Sequence, residues 1–199
     1  MTLTPTEQRL LDVLKARSFR RAAPGEQFTP ASGEKSDDFI DGKMTAVSAE
    51  GAPLIGQVLH DCTKDDRLDA IGGLQVGAVP LTTAAVMAYH ANGSAVEGFW
   101  VREAAKDHGT KKTIEGGLKP GMRVAIVDDV FTKGGSALMA AEAAREFGCE
   151  VVCVIALVDR LRGARELFEE EGIKDYRAVF NVADHFGVNI PGRAELAAA

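Results

Sequence analysis

Arg123–Gly148 reads RVAIVDDVFTKGGSALMAAEAAREFG. Val124–Val127 is short, branched and free of polar residues, the pattern of a buried parallel strand. Ala137–Phe147 is alanine-rich with helical spacing, and Gly148 stands at the C′ position that ends such a helix. Between them Thr132, Lys133, Gly134, Gly135 and Ser136 form a turn able to present several backbone N–H groups at a helix N-terminus, which is an anion site. Asp128 and Asp129 are expected at the carboxyl end of the strand, the edge of an open α/β sheet where ligands bind. Carboxylates cannot hold phosphate. They suit the hydroxyls of a sugar or a metal escorting a polyphosphate, so the stretch calls for a ligand with both a phosphate and a diol.

Working outward, helical and strand patterns alternate. Thr6–Arg17 carries Leu10, Leu11, Val13 and Leu14 on one helical face. Phe28–Lys43 is turn-rich and ends in an extended piece around Phe39–Asp41, and Ser48 is placed to cap a helix running to about Cys62. Strands are predicted at Asp69–Gly73, Val96–Val101, Val151–Val158 and Tyr176–Val182, with helices at Leu81–His90 and Leu161–Glu171. This alternation means βαβ units and a mostly parallel sheet flanked by helices. Arg102–Lys119 interrupts it with a charged, glycine-containing run, predicted to be a long mobile loop. Loops of that length in compact domains are commonly functional.

The 199 residues suffice for one substantial domain. The net charge of −6 argues against nucleic acid or an anionic membrane as a partner. No apolar run approaches the roughly 18 residues that span a bilayer, and the opening residues do not read as a signal peptide, so the cytoplasm is the expected location. Cys62, Cys149 and Cys153 lack CxxC spacing and read as reduced packing thiols. His60, His90 and His185 fall in helical or C-terminal contexts and read as surface or packing residues.

The segment VAIVDDVFTKGGS resembles the phosphoribosyl-pyrophosphate (PRPP) motif of type I phosphoribosyltransferases. Three further segments are similar to the orotate phosphoribosyltransferase branch: SGEKSDDFIDGK to its N-terminal substrate loop, VREAAKDHG followed by IEG to its catalytic loop, and LVDRLRGARE to the strand end facing the pyrimidine. The matches fall in order from about residue 28 to 182. The PRPP motif marks the superfamily; the AKDHG loop and the Asp-Arg pair together point to orotate.

The resemblance implies the type I phosphoribosyltransferase fold, as one domain over residues 1–199. Residues 1–45 and the C-terminal segment would form a small hood over the base. The implied reaction converts orotate and PRPP to orotidine 5′-monophosphate and pyrophosphate, a step in pyrimidine synthesis. The implied cofactor is Mg²⁺, held mainly by PRPP with no direct protein ligand, and the implied assembly is a homodimer sharing the mobile loop between subunits. By the same resemblance Asp128 and Asp129 hold the ribose hydroxyls and the developing positive charge. Val130, Phe131, Thr132, Lys133, Gly134, Gly135 and Ser136 surround the 5′-phosphate, and backbone N–H groups of Gln75–Ala78 face pyrophosphate. Lys106 and His108, with Arg102 opening the loop, contact pyrophosphate in the closed state. Phe39, Thr132 and Arg160 face the base, Arg160 pairing with the orotate carboxylate. Glu103, Lys133 and Ala31 depart from the family pattern, where lysine, a small residue and often lysine stand; Lys111 and Lys112 are available to compensate for Glu103, and Lys35 for Ala31. The alternatives are a type I phosphoribosyltransferase for another base and a PRPP-sensing regulator without catalysis on the same fold.

Overall fold

The computed structural model describes residues 2–29, 35–103 and 113–190. The first part of the chain forms α1 (Pro5–Arg17), β1 (Phe19–Arg21), β2 (Asp38–Ile40), α2 (Lys43–Ala46) and α3 (Gly51–Thr63). There follow β3 (Ala70–Leu74), α4 (Ala78–Ala91), β4 (Glu97–Val101), β5 (Ile114–Gly116) and β6 (Arg123–Phe131). The last part supplies α5 (Gly135–Glu146), β7 (Glu150–Asp159), α6 (Ala164–Glu170), β8 (Tyr176–Asn181) and α7 (Val182–Phe186).

Six strands form one sheet in the order β5-β4-β3-β6-β7-β8. All neighbours are parallel except the edge pair β4–β5. The central strands are apolar on both faces because both are covered. Ala125 and Val127 of β6, with Cys153, Ile155 and Leu157 of β7, pack against α1, α3 and α4. Val124 and Ile126, with Val154 and Ala156, pack against Ala137, Ala140, Ala141 and Ala144 of α5 and Phe168 of α6. The two-residue period of a strand thus divides its side chains between two cores.

β1 and β2 pair antiparallel as a separate ribbon. It is tied to the C-terminal segment: the Phe19 and Phe186 ring centres are 5.2 Å apart, and Arg21 donates to the Gly187 carbonyl at 3.0 Å.

Several outlines differ from expectation. β6 continues through Phe131, so Asp128 and Asp129 lie inside the strand rather than after it, with Asp128 opposite Ala156. α4 begins at Ala78 and takes in Pro80, tolerated in a first turn where no N–H is needed. α6 starts only at Ala164, because Leu161 and Gly163 have positive φ values of 55° and 95°. Ile114–Gly116 is the edge strand β5, so Arg102–Lys119 is not loop throughout. The Ser48 hydroxyl does accept the Gly51 N–H at 2.9 Å, although α3 begins three residues beyond it. The short helices α2 and α7 had no pattern to announce them; α7 is capped by the Asn181 side chain, which accepts from the Asp184 N–H.

Candidate active site

The strand order reverses between β3 and β6: the chain moves outward through β4 on one side and through β7 on the other. Such a switch point leaves a crevice at the carboxyl ends of the strands. Gln75–Gly77 follows β3 there, and residues 132–136 follow β6.

Asp128 and Asp129 are both more than nine-tenths buried at this point. Each carboxylate is braced locally: Asp128 Oδ1 accepts the Asp129 N–H at 2.9 Å, and Asp129 Oδ1 accepts the Val130 N–H at 3.0 Å. Both face Gly77, where a Cβ would stand 3.0 Å from Asp129 Oδ1 and 3.2 Å from Asp128 Oδ1. Gly42 approaches from the other side, and a Cβ there would lie 2.6 Å from the Asp129 Cβ. Burial first, and the charge of Asp129 second, push the Asp128 carboxyl up to about 8. The Lys43 ammonium lies 3.3 Å from Asp129 Oδ2 and 2.9 Å from Asp41 Oδ1. Burial works against the charge of Lys43, but these carboxylates outweigh it and hold its pKa above the ordinary value.

Beside the pair, Gly134 adopts φ 80° and begins α5 without a side-chain cap. A left-handed residue is natural there only for glycine, and the uncapped first turn leaves backbone N–H groups directed outward. Thr132 is half-buried, Lys133 and Ser136 are exposed, and a Cβ on Gly135 would meet nothing within 4 Å. Val130 is half-buried, whereas the Phe131 ring belongs to the core, 5.1 Å from Phe168 and 5.9 Å from Tyr176.

One strand over, the Arg160 N–H donates to the Phe131 carbonyl at 2.8 Å, which brings the end of β7 level with the phosphate-type loop. The Arg160 guanidinium is paired with neither Asp159 nor Glu166. Its Nη2 donates to Ser36 Oγ at 2.8 Å, Asp38 Oδ2 at 2.9 Å and the Asp38 carbonyl at 3.3 Å. Its Nε is buried without an acceptor among the described residues. Asp159 instead accepts from the Tyr176 hydroxyl and the Leu161 N–H. Phe39 lies beside Phe28, ring centres 5.5 Å apart, and the alternation along β2 sets it on the face of the ribbon opposite Asp38 and Ile40. Arg102 stands at the sheet edge, 3.7 Å from Glu115, and its N–H donates to the Thr113 carbonyl at 2.8 Å. Lys106, His108, Lys111, Lys112 and Ala31 lie outside the described residues.

An open cleft of about 370 Å³ beside the ribbon is lined by Arg21, Lys35, Ser36, Asp37, Asp38 and Arg162 among others. A second of about 340 Å³ lies over Asp159 and Tyr176. Neither includes the Asp128–Asp129 pair. Asp38, Gly42 and Lys43 lie in the segment SGEKSDDFIDGK, expected as a substrate loop, but the sequence assigns them no individual role; the structure brings all three into this region. They reach it through the ribbon and its exit, and no spacing relates them to β6 or β7.

No family profile matches the chain. Among curated proteins it is 39% identical over 188 residues to the orotate phosphoribosyltransferase of Rhodopseudomonas palustris, covering 92% of this chain and 98% of that one. It is 40% identical, with the same coverage, to the orotate phosphoribosyltransferase of Bradyrhizobium diazoefficiens. Among solved structures it is similar to Mycobacterium tuberculosis orotate phosphoribosyltransferase in complex with PRPP. That match has a TM-score of 0.75 and 34% identity, over 92% of this chain and 100% of the other.

Proposed function

The chain belongs to the orotate phosphoribosyltransferase family, and on that premise we propose that it transfers the phosphoribosyl group of PRPP to orotate. The C1′–O bond to pyrophosphate breaks, a bond from C1′ to a ring nitrogen of the base forms, and the products are orotidine 5′-monophosphate and pyrophosphate. The observation that carries this reading is the buried Asp128–Asp129 pair at the switch point, beside the uncapped N-terminus of α5.

A departing pyrophosphate leaves positive charge on the ribose, so catalysis needs fixed negative groups near the sugar and cations on the leaving group. Asp128 and Asp129 take the first role. In this reading each of the two carboxyl groups also hydrogen-bonds a ribose hydroxyl. The backbone N–H groups of residues 134–136, with Thr132 and Ser136, hold the 5′-phosphate. Arg102, Lys106 and His108 meet pyrophosphate, with backbone N–H groups of Gln75–Ala78 opposite. Arg160 and Thr132 face the base, and the β1–β2 ribbon and C-terminal segment act as its hood within a single domain.

Among the described residues, no three His, Cys, Asp or Glu side chains are grouped to hold a metal. In this reading Mg²⁺ would be held mainly by PRPP and would offset the charge of its pyrophosphate. No helix among the described residues is long and apolar enough to cross a membrane. The proposed assembly is a cytoplasmic homodimer in which the segment carrying Lys106 closes over the neighbouring subunit's site.

The test is PRPP-dependent loss of orotate absorbance with purified protein. Changing Asp128→Asn and Asp129→Asn together keeps the shape of both side chains and should cost on the order of 10²–10³ in rate while the protein stays folded. Near-parental turnover by the folded double variant would refute the assignment.

A further inference from the structure

The chain leaving β2 runs close against the carboxylate pair. A Cβ on Gly42 would lie 2.6 Å from the Asp129 Cβ, and the residues on either side of Gly42 form a bracket on Asp129. Asp41 Oδ1 accepts the Lys43 N–H at 3.2 Å and lies 2.9 Å from the Lys43 ammonium. The ammonium in turn donates to Asp129 Oδ2 at 3.3 Å. Asp41 is itself anchored, its N–H donating to the Ser18 carbonyl at 3.0 Å. We propose that Lys43 is a positioning residue for the ribose-binding carboxylates and that Asp41 acts through it: Asp41 steadies the ammonium, and the ammonium fixes Asp129 Oδ2.

This rests on the reading of Asp128 and Asp129 as the groups that hold the ribose. The Lys43 side chain is 48% exposed, and an ion pair so open to water adds little to stability. Its effect is on orientation. The Val130 N–H holds Asp129 Oδ1 at 3.0 Å, so with Lys43 on Oδ2 both oxygens are held and the plane of the carboxylate is set. Without the ammonium only one oxygen is held. A lysine on its flexible stem fixes little by itself, and Asp41, anchored at the exit of the ribbon, supplies the fixed point. One ammonium shared between two carboxylates also leaves the group net negative, as a site for developing positive charge requires.

The test is a double-variant cycle read in kcat/KM for PRPP. Lys43→Met removes the ammonium and keeps the stem. Asp41→Asn leaves an oxygen for the Lys43 N–H and removes the charge that steadies the ammonium. Both side chains reach water, so neither change opens a buried void. The folded variants should lose about tenfold for Lys43→Met and about threefold for Asp41→Asn, with the orotate KM within about twofold. Lys43→Arg should recover most of the loss, and because methionine already keeps the stem, that recovery reports the charge. Adding Asp41→Asn to Lys43→Met should cost less than about 1.5-fold more, since residues that act through one contact are not additive. A full threefold further loss would make Asp41 independent and overturn its role. A Lys43→Met value within about twofold of the parent, an orotate KM that rises as much as the PRPP effect, or no recovery with Lys43→Arg overturns the proposal. Asp128→Asn with Asp129→Asn keeps the failures apart. If that pair can be changed without loss, the reading of the pair fails; if it is essential while Lys43→Met is silent, only the bracket fails.

Discussion

Gly42→Ala probes the carboxylate pair through packing alone. Gly42 has φ −60° and ψ −26°, which alanine adopts without strain, so the backbone contributes no penalty. The added methyl would stand 2.6 Å from the Asp129 Cβ, 3.0 Å from Oδ2 and 3.2 Å from Cγ. Ordinary carbon–carbon contact is about 3.5–4.0 Å, so roughly 1 Å must be found between the start of α2 and Asp129. Asp129 has little freedom to give it, because Oδ1 is held by the Val130 N–H and Oδ2 by Lys43. Overpacking of this kind costs about 1–3 kcal/mol, with a fall in Tm of about 2–4 °C per kcal/mol for a chain of this size. Displacing a group that positions substrate by about 1 Å costs on the order of 10² in rate. The assay pairs a thermal melt with orotate consumption at varied PRPP. The expected result is a folded protein, a lowered Tm, kcat/KM for PRPP down about a hundredfold and an orotate KM changed less than about threefold. A variant whose Tm falls in this range while kcat/KM for PRPP stays within about twofold would refute the placement of Asp129 in the site.

Three further outcomes are expected. Asp128 rises from an ordinary 3.8 to about 8 on folding, so the folded state holds an extra proton across that window; its contribution to stability is full at low pH and lost as pH climbs through about 8. Tm should therefore decline between those limits and Asp128→Asn should flatten the decline; an equal slope in the variant would assign it to other groups. Lys43 lowers the proton affinity of Asp128, so Lys43→Met should move the acid limb of kcat/KM for PRPP to higher pH and Lys43→Arg should restore it, whereas a fixed limb would show that Lys43 does not act on the pair. For the dimer, Lys106→Ala subunits co-refolded with Asp128→Asn, Asp129→Asn subunits should recover about a quarter of parental activity through the one intact shared site of each mixed pair. Verified mixed dimers without activity would place the loop over its own subunit's site.

Much of this arrangement is legible in the chain because it is local. The strand and helix around Asp128 and Gly134 are set by contiguous residues, and so is the uncapped turn between them. The alternation that sorts Ala125 and Val127 to one core and Val124 and Ile126 to the other follows from strand geometry. Element ends were less legible. Whether β6 stops at Val127 or continues through two aspartates depends on the β7 backbone opposite, which pairs with it as far as Asp159. The start of α6 depends on positive φ at Leu161, a residue type that carries no such signal.

The sequence by itself determined a doubly covered, mostly parallel sheet, a phosphate-type turn after an acidic strand, and segments resembling one enzyme family, because each is written in neighbouring residues. Only the tertiary structure decided what the buried charges meet. Arg160 pairs with Asp38 across 122 positions of chain, and Lys43 reaches Asp129 across 86. Partners that distant are brought together by the packing of the ribbon and α2 on the sheet. For Arg160 and Asp38, charge neutralisation in a poorly screened interior then selects the partner, and no periodicity in the chain encodes that choice.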